Sequence, residues 1–493
     1  MQTAYQNGKS SADHIFFKRC IIEHLIKEKR KFFITAVDFD GAFDRVRRST
    51  LLRKLVAAGA STVFVMCLAN LYSVSGNTIY SNSSSVMYML YAGIKQGLPL
   101  SPYLFLFYID DIFDYFDSVF NASYTDVFDR LHILIHADDA NLLAISRDMM
   151  IKKLEALLIY CKTNSILLQA SKCWFLVING SPEDKLPLVI PGHEPVKNAE
   201  HLEILGSHIS GNVKHDLELH YKKRFKNVIK FFNYVKMNKI APVSIKLKVL
   251  KSCVTNALLY NCEAFGPSIP DGLEQMYYRM LRAALGVRTN CPNLTLLVEK
   301  GFLPLQCMVY CRQIKFFRRF KSSLQLNGTR AVVFDYLLES PTKYLKHYVD
   351  LDQKYEDVST LVTEHVERIK STVRSRGSDR DAHYKFWIYC QINPELVPSP
   401  FLHRIDKVGK SITKFRLGSH NLPIETGRWC RTPREDRLCV TCGVVGDENH
   451  VLYNCSEILR DDLGQLPQPI SNIWESDEVN RLFKRICDAK YID

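Results

Sequence analysis

Two adjacent aspartates, Asp138 and Asp139, interrupt the apolar run LHILIHADDANLLAIS at residues 131–146. Apolar residues lead into the pair and out of it, which reads as strand, tight turn, strand with the acids at the turn. Neighbouring carboxylates repel, and placing them between buried strands costs stability unless a cation or water neutralises them. A hundred residues earlier, VDFDGAFD (37–44) ends a second β-prone run in Asp38, with Asp40 and Asp44 behind it. Carboxylates converging from separate strand ends are what two-metal phosphoryl transfer requires, with the two divalent ions roughly 3.5–4 Å apart. Mg²⁺ suits such a set because it takes a few carboxylates plus substrate oxygens, and Mn²⁺ is the alternative ion. Asp110 and Asp111 form another acid pair, inside LFLFYIDDIFDYF, whose pattern suits a helix. They are assigned a structural role on an exposed face.

Two further constellations stand out. GIKQGLPLSP (93–102) packs two glycines, two prolines and a glutamine into a sharp loop opening a helix. It is either a plain loop or a surface where backbone closely approaches a base pair, which glycine permits. Near the C-terminus, Cys439, Cys442, His450 and Cys455 have the residue types and the tight CxxC spacing of a structural Zn²⁺ site. Such a site folds a segment too small for its own core, and the alternative is four buried residues without metal. Arg428, Arg431, Arg434 and Arg437 beside it either contact phosphate or pair with Glu435 and Asp436.

These residues need a scaffold, and the chain is long enough for one. Its 493 residues allow two to four domains, and 47% hydrophobic content indicates folded domains. The net charge of +13 favours a polyanionic partner. It is concentrated: residues 211–330 carry 21 Lys/Arg against 6 Asp/Glu. From 222 to 251 there are ten Lys/Arg and no acid, which points to a helical surface that tracks a nucleic-acid backbone. The 15 cysteines are mostly scattered among apolar residues, implying a reducing, intracellular compartment. The polar start has no signal-peptide pattern, and no apolar run reaches membrane-spanning length.

Residues 13–30 read as a helix with Ile15, Phe16, Ile22, Leu25 and Ile26 on one face and Lys and Arg elsewhere. Strands follow at 32–39 and 86–94, helices at 50–71 (broken near Gly59), 101–116 and 151–164, and a further strand at 166–178. Residues 189–206 are irregular with a short strand at the end.

Taken in order, VDFDGAFD, GIKQGLPLSP and HADD resemble polymerase motifs A, B and C of the reverse transcriptases, specifically those of non-LTR (LINE-type) retrotransposons. NSILLQASKCWFLV (164–177) is similar to motif D, HLEILGSHIS (201–210) to motif E, and YQNGKSSADHIF to the finger segment before motif A. The resemblance covers roughly residues 5–330. It implies an α+β right-hand polymerase with an antiparallel palm sheet, a helical thumb and a small C-terminal zinc-knuckle-like unit. The implied division is 1–210 partial fingers and palm, 211–330 basic thumb, 331–385 charged linker or helical spacer, and 386–493 the Cys/His region, which resembles the cysteine-rich module of retrotransposon polyproteins. The implied activity is RNA-directed DNA synthesis, with RNA template, DNA primer and deoxynucleoside triphosphates as partners, two Mg²⁺ ions and a structural Zn²⁺.

Residue by residue, the resemblance makes Asp38 and Asp138 metal ligands with Asp139 beside them. Phe39 and Phe43, both in the first motif, become nucleotide-binding residues, with Phe43 a steric gate that excludes a 2′-hydroxyl. Gln96 and Gly97 contact the template–nucleotide pair, Lys172 is a general acid for the leaving pyrophosphate, and Leu205 and Gly206 belong to the primer grip. Lys222, Lys223, Arg224, Lys226 and Lys230 hold the nucleic-acid backbone. Two departures matter. His136 replaces the usual aromatic before Ala137, and Met1 falls inside the expected fingers, as in a fragment without an endonuclease domain. The rival reading is a nucleic-acid-binding retroelement remnant without catalysis. An intron maturase or a telomerase is a third, disfavoured by the Cys/His cluster.

Overall fold

The computed structural model describes residues 3–73, 76–81, 84–120, 126–169, 172–238, 241–267, 269–324, 328–404, 406–459, 466–475 and 478–491. The chain divides into two compact units. The first comprises Met1–His220, Asn261–Ser268 and Gln313–Lys354, the second Tyr221–Tyr260, Ile269–Arg312 and Tyr355–Asp493.

The first unit is built on a five-stranded sheet. Helix α1 (Ser11–Lys27) precedes β1 (Phe32–Val37). A hairpin follows a hundred residues later, β2 (Ile133–His136) and β3 (Asp139–Ala144), then helix α2 (Arg147–Thr163) and β4 (Trp174–Ile178). The spatial order is β2-β3-β1-β4, completed by an edge strand β5 (Lys197–Asn198). All pairings are antiparallel except β4 with β5, which is parallel. Side chains alternate between faces with period two. Phe33, Val37, Ile133, Ile135, Leu142, Phe175 and Val177 enter one core with α2 and the helices at 48–73 and 101–120. Phe32, Ile34, Leu134, Leu143, Leu176 and Ile178 enter another with α1. A sheet covered on both faces explains why its strands are continuous apolar runs.

Several expectations change. Helix α1 is not half-solvated: residues 12–22 are all buried, including Lys18 and Arg19. Arg19 donates to the Ser210 carbonyl (2.9 Å) and pairs with Asp216 at 2.5 Å. The helix expected at 101–116 is two, Ser101–Ile109 and Ile112–Phe120. Asp111 lies at the break and accepts from Lys54 (2.8 Å) and Tyr160 (2.6 Å), a structural use of that acid pair. The strand expected at 86–94 spans Ser84–Met89, paired with Gly76–Ser81. It stops there because Arg48 takes the carbonyls of Leu90, Ala92 and Gly93. Part of the stretch 331–385, expected as a charged linker or helical spacer, packs into a core. Helices α4 (Thr329–Glu339) and α5 (Lys343–Lys354) place Val333, Phe334, Leu337, Tyr344, Leu345 and Tyr348 in the core around α1. Between them and the sheet in sequence runs the 25-residue helix α3 (Val213–Met237).

The second unit is helical. Ile388, Ile412, Phe415, Ile473, Leu482 and Phe483 form its C-terminal core, and Cys439 and Cys455 belong to that same cluster. The cysteine-rich segment thus shares a hydrophobic core with its flanking helices and does not depend on a metal for all its packing. Among the described residues no single helix is long and apolar enough to cross a membrane.

Candidate active site

Register brings the distant acids together. Val37 pairs with Ala140 across β1 and β3. Because the strands are antiparallel, the end of β1 meets the start of β3, and Asp38 emerges beside Asp138 and Asp139 at one edge of the sheet. His136 pairs with Asp139 to close the hairpin around Ala137 and Asp138. Ala137 has φ of 58°, a region costing an L-residue roughly 1–2 kcal/mol. The turn thereby throws both carboxylates outward, and both are exposed. Partial loss of solvent raises the pKa of Asp139, as do Asp138 and Asp38, while Lys18 opposes the rise. These three carboxylates sense one another and offer an all-oxygen donor set of the kind a hard divalent cation takes.

Lys172 approaches this group: its Nζ is 3.5 Å from Asp38 Oδ2. The segment 164–177 is tied to the same place, since the Gln169 amide donates to the Asp38 carbonyl (3.0 Å) and Phe39 pairs with Leu168. Its residues 170 and 171 lie outside the described residues. Asp40 and Asp44 do not join the site. Asp40 pairs with Arg45 at 2.7 Å, and Asp44 accepts from Gln96 at 3.3 Å.

Phe39 is buried. Phe43 is half-buried and stacks on Phe105 with ring centroids 4.8 Å apart, so its ring has a fixed position. The loop at 93–100 docks on the same turn: Ile94 N donates to the Phe43 carbonyl (3.0 Å), and a Cβ on Gly93 would lie 2.8 Å from the Asp44 carbonyl oxygen. Gln96 and Gly97 are exposed on that loop, and Gly97 has φ of 88°. Leu205 and Gly206, both with positive φ, form the tight turn between strands Leu202–Ile204 and Ser207–Ile209. Asn261 braces it by donating to the Leu205 carbonyl (3.2 Å) and Ser207 Oγ (3.0 Å).

A polar cluster lies beneath the hairpin, and of its members only His136 was singled out from sequence. His136 Nδ1 is 2.9 Å from Thr3 Oγ1, and its ring lies edge-on to His14 at 5.8 Å. Lys18, fully buried, donates to Asn141. Burial lowers the pKa of His136, and Lys18 adds to that effect. The nearest sequence signal is the pair of polar residues, His136 and Asn141, inside otherwise apolar strands.

In the second unit, Lys222, Lys226 and Lys230 lie exposed at four-residue intervals along α3, a continuous basic stripe. Lys223 and Arg224 are only half-exposed, and Arg224 lies over Tyr260, 4.1 Å from its centroid. The ligand atoms of Cys439, Cys442, His450 and Cys455 all lie within 4.8 Å of one another. His450 Nε2 is buried without a hydrogen-bond partner. An orphaned imidazole nitrogen facing three thiols fits a metal ion. The neighbouring arginines do not pair with Glu435 or Asp436 as expected from sequence: Arg428 meets Glu425 (3.1 Å), Arg434 meets Asp447 (4.0 Å), and Arg437 donates to the carbonyls of Thr432 and Ile424.

Telomerases from Candida albicans, in complex with a TWJ fragment of telomeric RNA, and from Candida tropicalis, in the apo form, are similar in structure at 12% and 13% identity. Their TM-scores are 0.36 and 0.35, over 75% and 69% of this chain and 55% and 56% of theirs. The retrovirus-related Pol polyprotein from the type-2 retrotransposable element R2DM of Drosophila melanogaster is 29% identical over 175 residues, 35% of this chain and 16% of that protein. The family model for reverse transcriptase (RNA-dependent DNA polymerase) matches residues 1–209, the span that holds the sheet and all three converging aspartates. Over that span the chain is similar to reverse transcriptases, and it spans 16% of the length of the curated relative it matches.

Proposed function

We propose that this chain is an RNA-directed DNA polymerase of a non-LTR retroelement, with the first unit's sheet as palm and the basic helices from 221 onward as thumb. The observation that carries the reading is the pairing of β1 with β3, which unites Asp38 with Asp138 and Asp139 on one sheet edge. Those three carboxylates would hold two Mg²⁺ ions. The chemistry supplied by such ions is activation of the attacking hydroxyl and neutralisation of the leaving pyrophosphate. Phe43, its ring fixed against Phe105, would exclude a 2′-hydroxyl and so select deoxynucleotides. Lys172, beside Asp38, donates a proton to the leaving group. Gln96, Gly97, Leu205 and Gly206 position template and primer, and Lys222, Lys226 and Lys230 grip backbone phosphates through charge. The Cys439, Cys442, His450 and Cys455 cluster would hold one Zn²⁺ in a structural role.

The test is primer extension on an RNA template with Mg²⁺ and deoxynucleotides. Asp138→Asn is expected to abolish extension while leaving template–primer binding intact. Equal extension by variant and wild type refutes the reading. Salt-sensitive binding by the wild type without extension would leave a nucleic-acid-binding remnant in its place.

A further inference from the structure

The first unit holds a cavity of ≈ 480 Å³ that shares no residue with the carboxylate site. Lys9, Arg130 and Arg330 line it, together with Thr329 and Ala331 from the first turn of α4. Arg330 is only 8% exposed, yet none of its three guanidinium nitrogens has a hydrogen-bond partner. Its nearest acid, Asp13, lies 3.6 Å away. Asp13 Oδ2 accepts from the Ser10 amide and hydroxyl (2.8 Å each) and from Arg319 at 2.7 Å, while Oδ1 faces Arg330, whose guanidinium also lies over the Phe320 ring at 4.2 Å. One carboxylate therefore faces two guanidinium groups, and the Lys9 ammonium has no ion-pair partner among the described residues. Burial lowers the pKa of Lys9 and the charge on Arg330 lowers it further, with Asp13 opposing.

The backbone adds to the positive field. The α4 helix of 11 residues starts in this cavity. Its first-turn amides have no acceptor within the helix, and its dipole favours an anion there. Two acids, Asp110 and Asp117, line the same cavity, as does the half-buried ring of Phe113. The His132 ring, 3.5 Å from Asp117, is driven by burial to a pKa of about 3 and stays neutral. A ligand that satisfies both halves carries a phosphate at one end and hydroxyl or amino donors at the other. The volume suits one nucleotide.

We propose that this cavity binds the phosphate of a nucleotide, either free or at the 5′ end of a strand. Binding to the full chain is measured without any extension reaction, so its failure is separable from failure of the polymerase reading. The probes are AMP, adenosine and inorganic phosphate at matched ionic strength, and a short RNA with either a 5′-phosphate or a 5′-hydroxyl. AMP and phosphate are expected to raise the Tm, and adenosine is not. Lys9→Gln is expected to weaken AMP binding roughly tenfold, the size of one charge-assisted hydrogen bond. Tighter binding of the 5′-phosphorylated RNA, lost in Lys9→Gln, identifies the strand end as ligand. Equal binding of the two RNAs with Lys9-dependent AMP binding identifies the free nucleotide. Arg330→Gln is the second variant, and Lys9→Gln alone decides if it does not fold. Wild-type affinity for every phosphate probe in Lys9→Gln, or no binding of any of them to the wild type, overturns the proposal.

Discussion

Replacing Lys153 with methionine isolates what it costs to bury a cation behind the acid-bearing hairpin. Lys153 is fully buried on α2, and its Nζ donates to the carbonyls of Leu131 (3.0 Å), just before β2, and Leu143 (2.6 Å), in β3. Burial drives its pKa from 10.5 down to about 7, with Asp129 opposing. Between those two values the unfolded chain holds a proton that the folded chain has released. Stability therefore rises with pH from about 7 toward 10.5, and below 7 the whole penalty of the buried cation is present. The full span is worth about 5 kcal/mol, of which about 2 kcal/mol falls between pH 6.5 and 8.5. Methionine removes that penalty but also removes two hydrogen bonds worth about 1 kcal/mol each. Lys153→Met should then be about 3 kcal/mol more stable than wild type at pH 6.5 and only about 1 kcal/mol more stable at pH 8.5. Urea titrations read by hydrogen exchange of peptides spanning 131–144 measure the difference locally. A stability gap of the same size at both pH values would refute the reasoning, because it would mean that Lys153 keeps its proton in the folded state.

Three other outcomes are expected. Gly93→Ala forces a Cβ against the Asp44 backbone at a φ of +83° and should cost about 2 kcal/mol or more, whereas Gly97→Ala, also at positive φ but with nothing within 4 Å, should cost about 1 kcal/mol; comparable losses in thermal unfolding would contradict the packing argument. Arg416→Met leaves Glu299 buried without its 2.8 Å partner and should lose about 3–5 kcal/mol, with Glu299→Gln in the same chain restoring most of it; no recovery in the double variant would show that the arginine acts through packing alone. Elemental analysis should find about one zinc per chain and none in Cys455→Ser, and a metal-free wild type purified without chelator would remove the zinc assignment.

The candidate site's residues were legible because their pattern is written locally. Acids at the end of an apolar run, a glycine-rich loop and a CxxC with nearby His and Cys each announce themselves within a dozen residues. The buried strands were legible for the same reason, since a sheet covered on both faces demands consecutive apolar residues. Less visible was any polar residue whose burial depends on what packs over it. Lys18 and Arg19 look like a solvated helix face, yet they are buried because the sheet, α4 and α5 surround α1. Likewise residues 331–385 look like a charged linker or helical spacer, because mixed charge hides the apolar stripe through Phe334, Leu337, Tyr344 and Tyr348 that completes the core.

By itself, then, the sequence determined which atoms were available: three carboxylates able to take divalent cations, a bulky ring five residues beyond the first, and four soft ligands near the C-terminus. Tertiary structure alone decided which of them meet. Asp38 and Asp138 are a hundred residues apart, and only the antiparallel register of β1 against β3 makes them neighbours, while Asp40 and Asp44, adjacent in sequence, turn away to Arg45 and Gln96. Local propensity sets where strands and turns form. Long-range pairing and burial set which side chains face one another and which charged groups are left without a hydrogen bond, as the Arg330 guanidinium is.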